Sequence, residues 1–167
     1  DGLTTSDYTL TLRPATSDLV VAIRSVSSGD GEIMLSWDEP AAYDDYSVAI
    51  YSVETGKLIA KLPRSATGTG AITIDSGAMS LVNGNYYSFT FRVVLDQSEG
   101  PDVTIGAVPD AAGVSYKFIY NADELNDVRS APADHYIVMK PIDLAAQGYS
   151  SWEPIDTFSG SLDGNGY

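Results

Sequence analysis

His135 and the carboxylate pairs Asp38/Glu39 and Asp44/Asp45 are the side chains whose types could move a proton. A general base must sit beside a nucleophile or an acid partner. His135 is the single histidine, no nucleophile motif lies near it, and one histidine cannot build a multi-histidine metal site. The carboxylate pairs flank one predicted strand, on loops at one end of the fold. Glycoside hydrolysis needs two carboxyls facing each other across a cleft, whereas adjacent loop carboxylates are ordinarily solvated. The serines sit in no Gly-x-Ser-x-Gly elbow. "SATGTGA" is glycine-rich but lacks the Lys-Ser/Thr ending of a phosphate loop. The residues predict no catalytic site and no enzyme.

Two features could bind rather than react. "DGNG", Asp163 to Gly166, has the look of part of a Ca²⁺ loop through Asp163 and Asn165; a tight turn explains the same residues. Beyond that calcium reading, no cofactor is expected. Tyr and Trp outnumber what a small core needs: Tyr43, Tyr51, Tyr86, Tyr149 and Trp152 are candidates for exposure. Aromatic faces beside carboxylates suit sugar rings, and packing between elements uses the same residues. Tyr43, Tyr51, Tyr149, Trp152 and Phe158 are therefore the expected ligand or partner surface.

These residues must be held by something, and composition bounds what. The chain has 167 residues, 44% of them apolar, 11 Tyr against 4 Phe and 2 Trp, and a formal charge of −14. That is enough for a core and favours half-buried strands. The charge is spread: residues 1–109 carry 14 acids and 6 bases, residues 110–167 carry 9 and 3. A negative field repels phosphate backbones and anionic membranes, so neither nucleic acid nor a membrane surface is an expected partner. With no cysteine, disulfides and thiolate metal sites are excluded. No apolar run is long enough for a membrane helix, and the first residues carry no signal-peptide pattern.

Along the chain, "YTLTLRP" alternates through Tyr8, Leu10 and Leu12 until Pro14, and predicts an edge strand in an N-terminal extension, 1–18. From 19 to 109 the pattern is strand, turn, strand: "DLVVAIRSV", "EIMLSW", "DYSVAIYSV", "KLI", "AITID", "YYSFTFRVVL" and "DVTIGAV". Short alternating strands with turn signals and no 3.6-residue periodicity predict an antiparallel sandwich. A Pro/Gly/Ala linker follows at 110–115. In 116–167, Asn121 and Glu124 predict a helix N-cap with its reciprocal partner, Leu125 and Val128 give one apolar stripe, and Pro132 ends the helix. "HYIVMKPIDL" predicts a strand, and "GYSSWEPI", "TFSGSL" and "DGNGY" short strand fragments and turns.

Residues 19–109 resemble a fibronectin type III domain. Trp37 in "LSWDEP", Tyr46 in "DDYSVAIY", and Leu81, Gly84 and Tyr87 in "LVNGNYYSFTFRVV" carry the resemblance. It implies that Trp37 and Tyr46 anchor the core and that Tyr87 forms a tyrosine corner. Asn83 stands where Pro is usual, and Tyr86 is an extra aromatic. Residues 116–167 resemble the cap segment of bacterial surface proteins with GLUG-type repeats, through "NADELNDVR", "HYIVMKPIDL", "WEPI" and "FSGSLDGNGY". Asp156 departs from the Gly that commonly follows "WEPI". This resemblance implies a short helix capping a right-handed parallel β-helix whose later coils lie beyond Tyr167.

The two resemblances together imply an all-β protein, an immunoglobulin-like sandwich followed by a truncated β-helix cap. They imply a non-catalytic part of an exported adhesin-like protein on the outer cell surface of Bacteroidetes, its signal or lipoprotein anchor removed. It would act as spacer and docking platform, its partners being downstream repeats of the same chain and host or polysaccharide glycans or surface proteins. A solenoid coil buries its face only against a neighbour, so Trp152, Ile155, Phe158 and Leu162 are expected to form an apolar surface awaiting one. The alternative is a carbohydrate-binding accessory module of a secreted polysaccharide-degrading enzyme.

Overall fold

A computed structural model describes residues 16–96 and 98–167. The edge strand expected through Tyr8 to Leu12 lies outside the described residues. A 3-10 turn, Thr16–Asp18, leads into β1 (Ala22–Gly29), followed by β2 (Glu32–Asp38), β3 (Ser47–Ser52), β4 (Leu58–Pro63), β5 (Thr69–Ile74), β6 (Tyr87–Leu95), β7 (Ser98–Glu99) and β8 (Val103–Ala107). Period-two alternation turns one face of each strand inward: Ile33, Leu35 and Trp37 on β2 and Phe89, Phe91 and Val93 on β6 are buried, while Met34 between them is exposed.

β5, β2 and β1 pair antiparallel in one sheet. β4, β3 and β6 form the other, and β7 and β8 share the far edge of β6, interrupted at Gly100 and Pro101. Ile33, Ile50, Ile74, Phe89, Phe91 and Ile105 meet between the sheets around Trp37, which is 0% exposed. Its indole meets the Phe91 ring edge-on, centroids 5.1 Å apart. The strand predicted over "DLVVAIRSV", from Asp18, begins at Ala22 instead, although Leu19 and Val21 are buried. Their apolarity serves the core without ladder pairing.

The remaining residues extend the first sheet. β9 (Val114–Ile119) pairs antiparallel with β1 through Ser27↔Ser115 and Ser28↔Val114. Next come α1 (Ala122–Asp127), a 3-10 turn at Val128–Ser130, β10 (His135–Val138) and β11 (Ser161–Asp163). β10 lies parallel to β9 and β11 parallel to β10. Their registers align Tyr116, His135 and Ser161 in one row, Lys117, Tyr136 and Leu162 in the next, and Phe118, Ile137 and Asp163 in a third.

Alternation gives this parallel ladder two faces. Tyr116, Phe118 and Ile137 pack on the sandwich core, Ile137 fully buried. Ile119 and Tyr136, on the opposite face, bury against Val128, with Leu125, Ile142 and Ile155 around them. The Asn121 side chain accepts from the Glu124 N–H at 2.9 Å, and Glu124 accepts in return from the Tyr120 N–H at 2.5 Å. The reciprocal bond therefore falls one residue before the cap. Of the fragments expected after Pro141, only Ser161–Asp163 pairs as a strand. The Gln147, Gly148 and Tyr149 N–H groups close turns on Leu144 and Ala145 instead.

Candidate functional site

Asp38, Glu39 and Asp44 of the two carboxylate pairs are occupied locally. Asp38 lies 3.5 Å from Arg24, and Asp44 lies 3.5 Å from Arg64. Glu39 accepts from the Tyr46 hydroxyl at 3.1 Å and the Ser65 N–H at 2.9 Å. Burial, and then the neighbouring Glu39 carboxylate, push the Tyr46 hydroxyl up to about 12. These side chains tie loops at the sandwich end. His135 is bound to Ser161, its Nδ1 2.7 Å from the hydroxyl, with the Tyr116 ring edge-on at 5.8 Å.

The five aromatics expected to form a binding surface are not gathered at one place. Tyr43 packs half-buried against the sandwich core. Tyr51, on β3, lies under the Arg92 guanidinium, 5.5 Å from ring centroid to Cζ. Phe158, 40% exposed, leans on Tyr136 at 6.5 Å. Tyr149 and Trp152 do meet, with centroids 5.4 Å apart, and Arg129 stacks on Trp152 at 5.1 Å. Arg129 also donates to Asn126, to the Pro154 carbonyl and to the Glu153 carbonyl, while Tyr149 donates to Asp123 at 2.8 Å. With both aromatic partners and the guanidinium engaged internally, this cluster fastens the 149–154 loop to α1. The apolar set Trp152, Ile155, Phe158 and Leu162 divides in the same way. Ile155 joins the cluster around Tyr136, whereas Leu162 is 49% exposed on β11.

Among the core anchors, Tyr87 accepts the Val82 N–H at 3.0 Å, a tyrosine corner. Leu81 packs on the core beside it. Gly84 holds φ +83, a left-handed turn that a side chain disfavours, and its N–H reaches the Pro109 carbonyl at 3.0 Å. Asn83, standing where proline is usual, accepts from the Gly31 N–H at 2.9 Å and donates to Asp30 at 2.7 Å. It uses its amide to fasten the β1–β2 turn.

A cleft not foreseen lies where the sandwich meets the parallel ladder. It encloses about 230 Å³ between Tyr86, Gly106, Ala107 and Val108 on one side and Tyr116, Ser161, Leu162 and Asp163 on the other. The Tyr86 hydroxyl donates to Asp163 at 2.8 Å, across 77 positions of sequence. A Cβ on Gly106 would come 1.9 Å from that hydroxyl oxygen. Glycine on β8 thus allows Tyr86 to lie across the strand. Burial, followed by the Asp163 carboxylate, raises the Tyr86 hydroxyl well above the ordinary phenol range. The Tyr116 hydroxyl accepts from the Val108 N–H at 2.9 Å and donates back to the Val108 carbonyl at 3.3 Å. Tyr86, Leu162 and Asp163 were each singled out in the sequence for other reasons, and nothing there brought them together.

Asp163 takes part in the terminal turn as well. Its second oxygen accepts from the Asn165 N–H at 2.8 Å. Asn165 and Gly166 both have positive φ, 49° and 82°, and the Tyr167 N–H closes on the Gly164 carbonyl at 3.0 Å. "DGNG" forms a tight turn. Among the described residues no group of three or more His, Asp or Glu gathers as a metal site would require, and no helix is long and apolar enough to cross a membrane.

No protein-family model and no curated protein matches the chain. Solved structures do. The protein called FN3tt aligns at 21% identity, covering 55% of this chain and 89% of its own, with a TM-score of 0.37. The twitchin kinase region of C. elegans aligns at 17%, covering 50% of this chain and 15% of its own, TM-score 0.35. The multi-modular cell-surface chitinase ChiW of Paenibacillus aligns at 14%, covering 76% of this chain and 12% of its own, TM-score 0.40. The class is set by the strand order itself: β1-β2-β5 against β4-β3-β6-β8 around a buried tryptophan, with a tyrosine corner before β6. The fold is an all-β, immunoglobulin-like sandwich of the fibronectin type III kind. It is followed by a small segment with one short helix and two parallel strand pairings.

Proposed function

We propose that the chain is a non-catalytic spacer and docking platform of an exported, adhesin-like protein of a bacterial outer surface. The observation that supports this reading is the parallel ladder β9–β10–β11, built on the sandwich edge and ending in a strand whose outer edge is unpaired among the described residues. Parallel strands joined by long crossings are how a β-helix stacks its coils. The ladder is welded to the sandwich through Ile137, Tyr116 and the Tyr86–Asp163 bond. Such a junction would transmit orientation and hold a repeat surface away from the cell. Sandwich residues 19–109 and cap 116–167 are the units of this reading, and the linker expected at 110–115 shortens to 110–113 because Val114 and Ser115 already pair with β1.

The test is hydrogen exchange on the protein as its gene encodes it. The Ser161–Asp163 amides are expected to become protected relative to the present chain, because a further parallel strand pairs with them. Protection no greater than in this chain alone sinks the proposal. Protease shaving of intact cells should release the protein; its retention inside the cell would count equally against the assignment to the surface.

A further inference from the structure

The junction cleft is lined from both the sandwich and the ladder by residues whose chemistry selects a ligand. Tyr86 is 52% exposed, seated on Gly106 and hydrogen-bonded to Asp163. A tyrosine fixed in this way offers a flat apolar surface at little cost in conformational entropy. Leu162, 49% exposed, adds apolar contact at the rim.

Polar capacity is left over around that surface. A carboxylate accepts about four hydrogen bonds, and Asp163 uses one oxygen for Tyr86 and the other for Asn165. The Ser161 hydroxyl shares one bond with His135 and keeps a further site. No Lys or Arg lines the cleft. With a chain charge of −14, anionic ligands are disfavoured. Asp163 already has two donors, so nothing in the site demands a cation. A cavity of about 150 Å³ takes a benzene ring; 230 Å³ takes one six-membered ring with substituents.

We propose that this cleft binds a single neutral hexopyranose unit. One C–H face of the sugar lies on Tyr86 and Leu162, and its hydroxyls donate to Asp163 and exchange hydrogen bonds with Ser161. The site uses residues on both sides of the junction, so it exists only when the ladder is docked on the sandwich. It stands whether or not β11 carries a further strand, so its failure and that of the spacer reading are distinguishable.

The experiment is a heteronuclear NMR titration of the full chain with methyl glycosides of glucose, galactose, mannose and N-acetylglucosamine. Glucosamine and methylamine are run alongside. At least one neutral glycoside should shift the Tyr86, Ser161 and Asp163 resonances. Tyr86→Ala should weaken that binding roughly tenfold, the loss of one aromatic contact, and Tyr149→Ala should leave it unchanged. If Tyr86→Ala proves unfolded by circular dichroism, Leu162→Ala replaces it as the variant expected to weaken binding. The proposal is overturned if no neutral glycoside shifts the cleft, if only the amine-bearing probes do, or if binding survives the folded cleft variant intact.

Discussion

Gly106 and Tyr86 show how one residue decides what a neighbour can do. Alanine at 106 would put its Cβ 1.9 Å from the Tyr86 hydroxyl. The ring must then lift off β8 and release Asp163. Gly106→Ala should cost about 1–3 kcal/mol, the usual range for overpacking, and Tyr86→Phe about 0.5–1.5 kcal/mol for the lost hydrogen bond. Urea denaturation of both variants checks the order. Tyr46 gives a pH signature. Its folded pKa of about 12 lies above the ordinary 10.0, so it supports the fold below pH 10 and that support fades as pH rises towards 12. Tyr46→Phe should flatten the fall in melting temperature over that alkaline window; an unchanged slope would show that another group carries it.

Two elements are fastened by polar contacts that can be cut singly. Asn121→Ala removes the side-chain acceptor at the start of α1. The expected loss is about 1 kcal/mol, read as a lower melting temperature and faster exchange at the Glu124 amide. At the far edge of β6, Arg92 grips Asp102 through two bonds, Nε–Oδ1 at 2.7 Å and Nη2–Oδ2 at 2.9 Å, and reaches Glu99 at 3.0 Å. That guanidinium holds the Asp102 carboxyl below its usual range. The pair therefore supports the fold above the unfolded value of 3.8 and weakens as pH falls through the lower folded value. Both partners are partly exposed, so the contribution is at most about 1 kcal/mol and screened by salt. Asp102→Asn should abolish that acid dependence, and the difference should shrink at high ionic strength.

At the scale of the molecule, the question is whether sandwich and ladder unfold together. Ile137 on β10 is fully buried in the same cluster as Trp37 and Phe91. Ile137→Ala should therefore cost about 2–5 kcal/mol and lower the midpoint of the whole chain, not of the ladder alone. In Trp152→Phe the remaining tryptophan, Trp37, reports the sandwich core, while far-ultraviolet circular dichroism reports every strand. Coincident transitions are expected. A ladder that melts first, leaving Trp37 fluorescence native, would show two independent units.

How much was legible in the sequence follows from distance along the chain. Alternation marked β2, β3 and β6, because period two is written into neighbouring residues, and Asn121 with Glu124 marked α1, because capping spans three positions. Trp37, Tyr46 and Tyr87 marked a sandwich core through the fibronectin type III resemblance that they carry. Other features were not readable. The aromatics Tyr43, Tyr51, Tyr149, Trp152 and Phe158 have different neighbours, which a list of aromatic residues does not reveal because it carries no information about which face each one turns to. The cleft depends on Tyr86 meeting Asp163 across 77 positions over a glycine on a third strand. Local chemistry determined the strands, the helix cap and the anchors. Tertiary structure alone decided which strand edges meet and which hydroxyl faces which carboxylate, since those pairings arise only when segments far apart in sequence bury their apolar faces together.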